Sequence, residues 1–478
     1  MITSLFLKKT STFTLLIDYK KHTNILTAIN NEKQYTELRK EYPFFEYQSY
    51  SFKFINGNIE AEFNFNLSDK YFFKPVIKIP ARSFYGINEI KEEDLNNFIF
   101  HIGLVELVSY WKTTCSPKVI IRPNHLDYKQ IQWWKKLYFF GLGEFFYLNG
   151  IKASENSFMT IFSHGENIGL SEIKLNTDSV IVPIGGGKDS VVTLELLNQG
   201  KVHVIPMMVN PREASIRTIE TAGFTSADSI IINRLIDGKL LELNKLGFLN
   251  GHTPFSALLA FTGALSCAIS GVANIALSNE SSANESTVPG SKINHQYSKT
   301  FEFENDFAWY IKKYVHAEIN YFSFLRPVNE LQIAKLFAKL PQHFSGFRSC
   351  NVGSKTDVWC GRCSKCLFTY IILSPFIKRD KLIDIFGKDM LDDGSMSDIF
   401  NELTGVSDVK PFECVGTTSE VVAALQKYNF IDRKPVLLNL FNSNEFNSNA
   451  FDKLISEYNT EHLVPAKFEL LLKNALND

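Results

Sequence analysis

The sequence predicts an α/β fold: a doubly wound parallel sheet, an N-terminal α+β domain and a four-cysteine metal-binding segment. Short, almost wholly apolar runs at 179–184, 202–209 and 273–277 alternate with stretches of helical periodicity. Strands that are apolar on both faces are typical of parallel sheets covered by helices on both sides. Four of the seven cysteines crowd between Cys350 and Cys366, which is typical of a metal site in a reducing compartment.

Changes in the pattern of apolar and polar residues divide the 478 residues into three parts. This agrees with the two or three domains that this length predicts. Residues 1–165 form a predicted N-terminal α+β domain that is a candidate for substrate binding. It contains predicted strands at 61–67 and 75–80 and predicted helices at 104–111 and 130–147. Residues 166–400 hold the parallel sheet and the cysteines, and residues 401–478 are a C-terminal extension.

Charge and hydropathy exclude some classes of function. The formal net charge is −1, so there is no global basic excess of the kind that nucleic-acid binding favours. No run approaches the ~20 apolar residues of a membrane span. At the N-terminus Lys8 and Lys9 follow a short apolar run, the reverse of a secretory signal. We therefore expect a soluble cytoplasmic protein without a nucleic-acid or membrane partner.

A glycine-rich loop follows the first apolar strand of the sheet domain and opens the next helix. Unpaired N–H groups at a helix N-terminus form an anion site, and glycines let the backbone close on a phosphate. Lys188 adds a positive charge and Ser190 a hydroxyl donor, while Asp189 suits either Mg²⁺ or a helix cap. The spacing excludes a Walker A loop and a dinucleotide fingerprint, and a turn without a ligand is the alternative. The loop residues are Gly185, Gly186, Gly187, Lys188, Asp189 and Ser190.

The four crowded cysteines have the spacing C-x9-C-x2-C-x2-C. Four thiolates satisfy tetrahedral Zn²⁺ and leave no open position, so the predicted site is structural. An iron–sulfur cluster is the alternative, because it also takes four cysteines, and optical absorption separates the two. The predicted ligands are Cys350, Cys360, Cys363 and Cys366.

Polar residues after the third apolar run are further candidates. Glu280 suits a metal or base role, because ligands of open α/β sheets lie beyond the carboxyl ends of strands; a solvated loop glutamate is the alternative. His295 suits phosphate binding or general base catalysis, and Lys299 suits the phosphates of a nucleotide. Arg326 suits either a bidentate carboxylate contact or a surface ion pair.

The glycine loop resembles the PP-loop of the N-type ATP pyrophosphatases, Ser-Gly-Gly-x-Asp-Ser, with Gly185 where Ser is usual. That resemblance implies a PP-loop (HUP-like) fold and cleavage of ATP between its α- and β-phosphates. It implies adenylation of an acceptor oxygen, with ATP and Mg²⁺ bound at residues 185–190.

Several further segments together resemble one family, the ATP-dependent UDP-N-acetylmuramoyl-L-alanyl-L-glutamate epimerases (MurL). They lie at 141–145, 149–150, 185–190, 249–252, 277–280, 294–304, 321–327, the cysteine cluster and 410–416. The resemblance implies that an acyl-adenylate of UDP-N-acetylmuramoyl-L-Ala-L-Glu forms, its terminal L-Glu is inverted to D-Glu, and AMP and pyrophosphate are released, in peptidoglycan precursor synthesis. It implies catalytic roles for Lys188, Asp189, Glu280, His295 and Lys299, with Glu280, His295 and Tyr297 as candidate bases.

Three other functions remain open on the sequence. A 7-cyano-7-deazaguanine synthase-like or other PP-loop ligase also pairs the loop with four cysteines, but such synthases are much shorter. A tRNA-modifying PP-loop protein would need a basic face, which the balanced charge disfavours. A nucleotide-binding module without turnover would bind ATP and release no AMP, and the intact loop disfavours it.

Overall fold

The computed structural model describes residues 30–81, 91–287, 294, 296–353, 355–407, 409–428, 433–441 and 449–477. Over these residues the chain forms a mixed α/β structure around one large sheet. Its strands are β1 (Phe44–Ile55), β2 (Asn58–Leu67), β3 (Tyr71–Phe73), β4 (Val76–Pro80), β5 (Lys118–Ile121), β6 (Thr160–Ser163), β7 (Asn176–Pro183), β8 (His203–Val209), β9 (Ile230–Leu235), β10 (Val272–Leu277) and β11 (Asn320–Ser323).

The helices surround this sheet. They are α1 (Glu32–Glu41), α2 (Glu92–Trp111), α3 (Tyr128–Gly141), α4 (Gly143–Leu148), α5 (Lys188–Gln199), α6 (Glu213–Thr221), α7 (Gly238–Lys245), α8 (Phe255–Ser270), α9 (Phe301–Tyr314), α10 (Glu330–Ala338), α11 (Ser364–Leu373), α12 (Arg379–Phe386), α13 (Ser397–Thr404), α14 (Thr418–Gln426), α15 (Ala450–Ser456) and α16 (Ala466–Asn477). None of these helices, over the residues described, is both long and apolar enough to cross a bilayer.

All eleven strands belong to one sheet. Ten follow the order β11-β10-β7-β8-β9-β4-β2-β1-β5-β6, and β3 pairs with β2. The neighbours from β11 to β9 are parallel, as the apolar runs predicted. An antiparallel pairing of β4 with β9 joins this half to the N-terminal strands. The sheet is therefore continuous across residue 165, and the division into three domains stays a prediction.

The parallel half of the sheet is covered on both faces, because successive side chains of a strand point to opposite sides. In β7, Val180 and Val182 pack in a core that includes Leu194 of α5. Ile181 between them packs in a second core with Phe261 of α8. Helices thus bury both faces of these strands, which explains their almost wholly apolar sequences.

Strand order reverses at β7. The chain leaves β7 through α5 to reach β8 on one side, whereas β10 lies on the other side. Such a reversal opens a crevice beyond the carboxyl ends of the strands, where ligands of open α/β sheets bind. The glycine loop lies at this point.

In the N-terminal part, Asn56 and Gly57 form the two-residue turn between β1 and β2. Both have positive φ, 50° and 74°, as the tight hairpin turn that suits the twist of the strands requires. The helix predicted at 130–147 is divided into α3 and α4. A Cβ at Gly141, the last residue of α3, would lie 2.9 Å from the Pro254 side chain, so the glycine permits close packing there.

Candidate active site

A cavity of about 560 Å³ opens at the carboxyl ends of β7, β8 and β10. Residues that end or follow these strands line it, among them Pro183, Val209 and Leu277. The glycine loop lines the same cavity through Gly185, Gly187 and the two polar residues Asp189 and Ser190. The structure therefore places the loop where the strand order predicts a ligand.

The backbone of the loop depends on glycine at its second position. Gly186 has a φ of +84°, and a Cβ there would lie 2.7 Å from the backbone of Ala214. Gly187 is the N-cap of α5, and no described side chain caps this helix. The first N–H groups of α5 are thus left for a ligand. At Gly185, by contrast, a Cβ would meet no described atom within 4 Å.

The ammonium of Lys188 is buried beneath the loop, where it contacts the carboxylates of Asp189 and Glu330. Only 3% of its side chain is exposed. Burial alone would lower the pKa of Lys188, but the two carboxylates outweigh burial and raise it. The pKa of Asp189 is lowered, because Lys188 and more distant lysines outweigh its burial. Both groups are therefore charged at neutral pH, and Asp189 keeps a face toward the cavity.

Glu330 begins α10 and is buried on all sides. Burial raises the pKa of its carboxyl to about 8, because one ammonium shared with Asp189 only partly offsets the lost hydration. The backbone N–H of Glu330 donates to Glu420 at 2.7 Å. Glu420 belongs to the capping box of α14, so the loop, α10 and α14 share one buried network.

The cavity is strongly basic. Its described lining includes a single carboxylate, that of Asp189, and five basic side chains: Arg212, Arg234, Lys299, Arg348 and Lys365. A concave surface with this excess of positive charge attracts polyanions such as nucleotide phosphates. Arg234 is already paired with Glu106 of α2 at 2.8 Å. A helix of the N-terminal part therefore positions one of the basic side chains that line the cavity.

Lys299 and Cys414 both line this cavity. The Lys299 ammonium donates to the Cys414 thiol sulfur at 3.1 Å. Burial opposes the charge of Lys299, but Cys414 and Glu280 outweigh burial and raise its pKa. Glu280 lines a narrower recess of about 40 Å³ that Lys299 and Cys414 share.

Arg326 is neither a substrate ligand nor a surface residue. It is fully buried and pairs with Glu304 at 2.9 Å. Its guanidinium also donates to the backbone carbonyls of Glu280 at 2.6 Å and Lys299 at 2.7 Å. Of the two alternatives drawn from the sequence, the carboxylate contact is present, since two guanidinium N–H groups donate to Glu304, and the surface ion pair is wrong. Arg326 also fixes the backbone that carries two candidate residues.

The remaining candidate bases are His295 and Tyr297, and the structure describes only Tyr297. His295 lies outside the described residues. Tyr297 lines a separate cavity with Phe140, and the two rings pack with centroids 5.3 Å apart. Burial raises the pKa of Tyr297, so its phenol keeps its proton at neutral pH and is a poor base.

The four predicted metal ligands converge. The Sγ atoms of Cys350, Cys360, Cys363 and Cys366 all lie within 4.8 Å of one another. Three of their separations are 3.9, 3.7 and 3.5 Å. Tetrahedral Zn²⁺ with Zn–S bonds of ~2.3 Å places its sulfurs ~3.8 Å apart. The cluster therefore fits a closed tetrahedral metal site.

The cysteine segment also builds the cavity wall. The N–H of Arg348 donates to the carbonyl of Gly186 at 2.8 Å. Ser349, Asn351 and Lys365 of the same segment line the cavity. A metal held by the cysteines would thus fix the residues that close over the glycine loop.

Sequence reasoning missed several groups of this site. Glu330 and Glu420 carried no motif that was recognised, and only the capping-box spacings of Asn329 with Gln332 and of Thr417 with Glu420 could have drawn attention to these helix starts. Lys365 stands between two metal ligands, and Cys414 counted only as a scattered cysteine within the segment 410–416. Their contacts with the loop region come from distant parts of the chain, which spacing alone does not reveal.

Two family models match the chain. The MurL N-terminal domain matches residues 36–324, and the MurL C-terminal domain matches residues 344–438. The first covers more than half of the chain and includes the glycine loop. The second includes the four cysteines and Cys414.

Curated relatives carry one name, UDP-N-acetyl-alpha-D-muramoyl-L-alanyl-L-glutamate epimerase. The protein of Xanthomonas oryzae pv. oryzae is 33% identical over 332 residues, which are 68% of this chain and 72% of the relative. That of Salinispora tropica is 32% identical over 80% of this chain and 84% of the relative. That of a Micromonospora species is 30% identical over 80% and 86%.

Proposed function

Because the chain belongs to the MurL family of epimerases, we propose that it inverts the terminal L-Glu of UDP-N-acetylmuramoyl-L-Ala-L-Glu to D-Glu. The substrate is the one that the name of the relatives gives. We further propose that the protein is a cytoplasmic enzyme of peptidoglycan precursor synthesis, since both the nucleotide-linked dipeptide and ATP are cytoplasmic substrates.

The chemistry of the substrate calls for activation before inversion. A free α-carboxylate makes the neighbouring Cα–H very hard to remove, because the resulting anion would gain further charge. In the proposed first step, a carboxylate oxygen attacks the α-phosphorus of ATP and pyrophosphate leaves. The acyl-adenylate no longer carries the carboxylate charge, so a base can remove the α-proton. Reprotonation on the other face and hydrolysis then give D-Glu and AMP.

One observation supports an ATP site most directly. The N-terminus of α5, which has no side-chain cap, faces a cavity whose described lining has five basic side chains and a single carboxylate. The N–H groups of the glycine loop would hold phosphate oxygens, with Ser190 beside them. Lys299 and Arg348 would add charge-assisted hydrogen bonds.

Asp189 and Lys188 have separate proposed roles. Asp189 faces the cavity and keeps its charge, so it would hold the Mg²⁺ that accompanies ATP. Lys188 is buried between Asp189 and Glu330, so it would orient Asp189 and lower its pKa. The four cysteines would hold a structural Zn²⁺.

The decisive experiment incubates the purified protein with ATP, Mg²⁺ and UDP-N-acetylmuramoyl-L-Ala-L-Glu. Chiral chromatography after acid hydrolysis then resolves D-Glu from L-Glu, and AMP is assayed in parallel. We expect D-Glu together with a matching amount of AMP, and none of either when ATP or the dipeptide substrate is omitted.

Other outcomes distinguish the alternatives. AMP without D-Glu would contradict the epimerase proposal and point to another adenylating ligase. D-Glu without ATP would contradict adenylation, and ATP binding without AMP would indicate a module that does not turn over.

A further inference from the structure

The thiol of Cys414 lines the cavity that holds the glycine loop. Cys414 is half-buried and lies between α13 and α14, in the described segment 409–417 that leads into α14. Its Sγ accepts a hydrogen bond from the Lys299 ammonium at 3.1 Å. An adjacent ammonium lowers the pKa of a cysteine thiol, and the thiolate is its basic form. The pair therefore supplies a base inside the candidate active site.

The segment that carries this thiol is anchored on several sides. The Lys365 ammonium donates to the carbonyl of Cys414. Lys410 pairs with Glu285, and the ring of Phe412 packs against Tyr147 with centroids 5.3 Å apart. These contacts hold Cys414 itself and the residues that precede it, as the placement of a proton-transfer group requires.

The other described candidates are less well placed. Glu280 lines the narrow recess behind Lys299, whereas Cys414 lines both this recess and the main cavity. Tyr297 lines a separate cavity and keeps its proton. Lys299 holds its charge through the raised pKa described above, so it serves as the partner of the base.

Building on the proposed function, we propose that the sulfur of Cys414, paired with the Lys299 ammonium, is the base that removes the α-proton of the adenylated glutamate. The Cα–H bond breaks, its electron pair moves to the acyl oxygen as an enolate, and an S–H bond forms. A solvent-derived proton then adds to Cα from the opposite face as the electron pair returns. The thiol gives its proton to solvent, so the net change is inversion at Cα.

The test compares the wild-type protein with Cys414→Ala and Cys414→Ser in D₂O. Three quantities are measured: pyrophosphate exchange into ATP that depends on the dipeptide substrate, deuterium incorporated at the glutamate Cα, and D-Glu formed. We expect both variants to lose deuterium incorporation and D-Glu by about 10²-fold or more, the usual contribution of a proton-transfer group. Pyrophosphate exchange should stay within about threefold of the wild type, because adenylation precedes the proton transfer.

Several results would overturn the inference. D-Glu formation at near wild-type rates in either variant would place the base elsewhere, at Glu280 or His295. Equal loss of pyrophosphate exchange in variants with wild-type circular dichroism would give Cys414 a role before proton removal. A covalent glutamyl adduct on Cys414, found by mass spectrometry of acid-quenched enzyme, would make it a nucleophile. Absence of pyrophosphate exchange in the wild type would remove the proposed function itself.

A second measurement is independent of turnover. Alkylation of Cys414 by iodoacetamide, followed by peptide mass spectrometry, reports its thiolate fraction at each pH. We expect the profile to shift to higher pH in Lys299→Met, because an adjacent ammonium favours the thiolate. Cys115 and Cys267 are fully buried and serve as internal controls for unfolding. An unshifted profile in Lys299→Met would contradict the pairing.

Discussion

Gly186 is the position of the glycine loop at which an added side chain would make the closest contact. Its φ of +84° and the 2.7 Å approach of Ala214 to an added Cβ both oppose alanine. We expect Gly186→Ala to raise the KM for ATP by at least about 10-fold, because even a small displacement of the loop breaks its phosphate hydrogen bonds. Steady-state pyrophosphate exchange at varied ATP measures this effect.

The adjacent glycine provides the matched control. A Cβ at Gly185 meets no described atom within 4 Å, so we expect Gly185→Ala to change the KM for ATP by less than about threefold. If the two variants were equally impaired, the loop would be sensitive to any side chain, and the conformational explanation for Gly186 would be wrong.

Glu330 gives the protein a specific dependence of stability on pH. Its folded-state pKa of about 8 exceeds the ~4.3 of an exposed glutamate. Between these values the folded state binds more protons than the unfolded state, so stability falls as pH rises, by at most about 1.4 kcal/mol per pH unit. We expect Glu330→Gln to flatten this decline, as measured by urea unfolding midpoints from pH 5 to 8.5. Parallel curves for the two proteins would contradict the shift.

Single residues differ in how far the sequence reveals them. The loop glycines and the four cysteines were predictable, because backbone conformation and metal geometry demand those residue types at short spacing. Glu330 and Cys414 were not, because their importance comes from contacts across long stretches of chain. Lys188 was predicted in the loop, but its buried contact with Glu330 depends on the position of α10.

At the scale of structural elements, the cysteine segment and the glycine loop form one unit. The Arg348 N–H bonds to the Gly186 carbonyl at 2.8 Å, and Lys365 lies between two of the predicted ligands. We expect Cys363→Ser, or metal removal with a chelator, to weaken ATP binding by at least about 10-fold, because the residues that close over the loop lose their support. Isothermal titration calorimetry measures the affinity, and elemental analysis measures the bound metal.

The matched control for this prediction is Cys267→Ser, which alters a buried cysteine of α8 that lies away from the cluster. It should retain the full metal content. Unchanged ATP affinity in metal-free Cys363→Ser would show that the cluster and the loop are energetically independent. Zinc and iron–sulfur occupancy are distinguished by the same elemental analysis.

Elements with strong local signals were well predicted. Strand β7, helix α5 and the strands β8 and β10 follow the apolar runs and the helical periodicity closely. The break between α3 and α4 was not predicted; it lies beside the close contact of Gly141 with Pro254. A tertiary contact of this kind does not alter the hydrophobic periodicity from which helices are predicted.

At the scale of the whole molecule, a buried ion pair joins the N-terminal part to the parallel half of the sheet. Glu106 of α2 is fully buried and holds Arg234 of β9 at 2.8 Å. Glu106→Ala removes the carboxylate partner of a largely buried guanidinium that keeps its bond to Ser109, so we expect the free energy of unfolding to fall by about 3 kcal/mol. Chemical denaturation measures the change.

The comparison variant is Glu93→Ala, at an exposed position of the same helix, for which we expect a loss below about 1 kcal/mol. Similar losses in the two variants would mean that the Glu106 pair adds nothing beyond helix stability. The pairing of β4 with β9, which lies beside this ion pair, was not predictable, because antiparallel pairing between distant strands depends on the assembled core.

The bond between Arg348 and the glycine loop has a consequence for the synthesis of the protein. The cavity takes its walls from residues as far apart as Pro183 and Cys414. On the ribosome, the loop emerges more than a hundred residues before the segment that closes over it. A nascent chain can therefore form the glycine turn early but complete the cavity only after Cys414 has left the exit tunnel. Under the proposed function, an unfinished polypeptide would therefore consume no ATP before its pocket is complete.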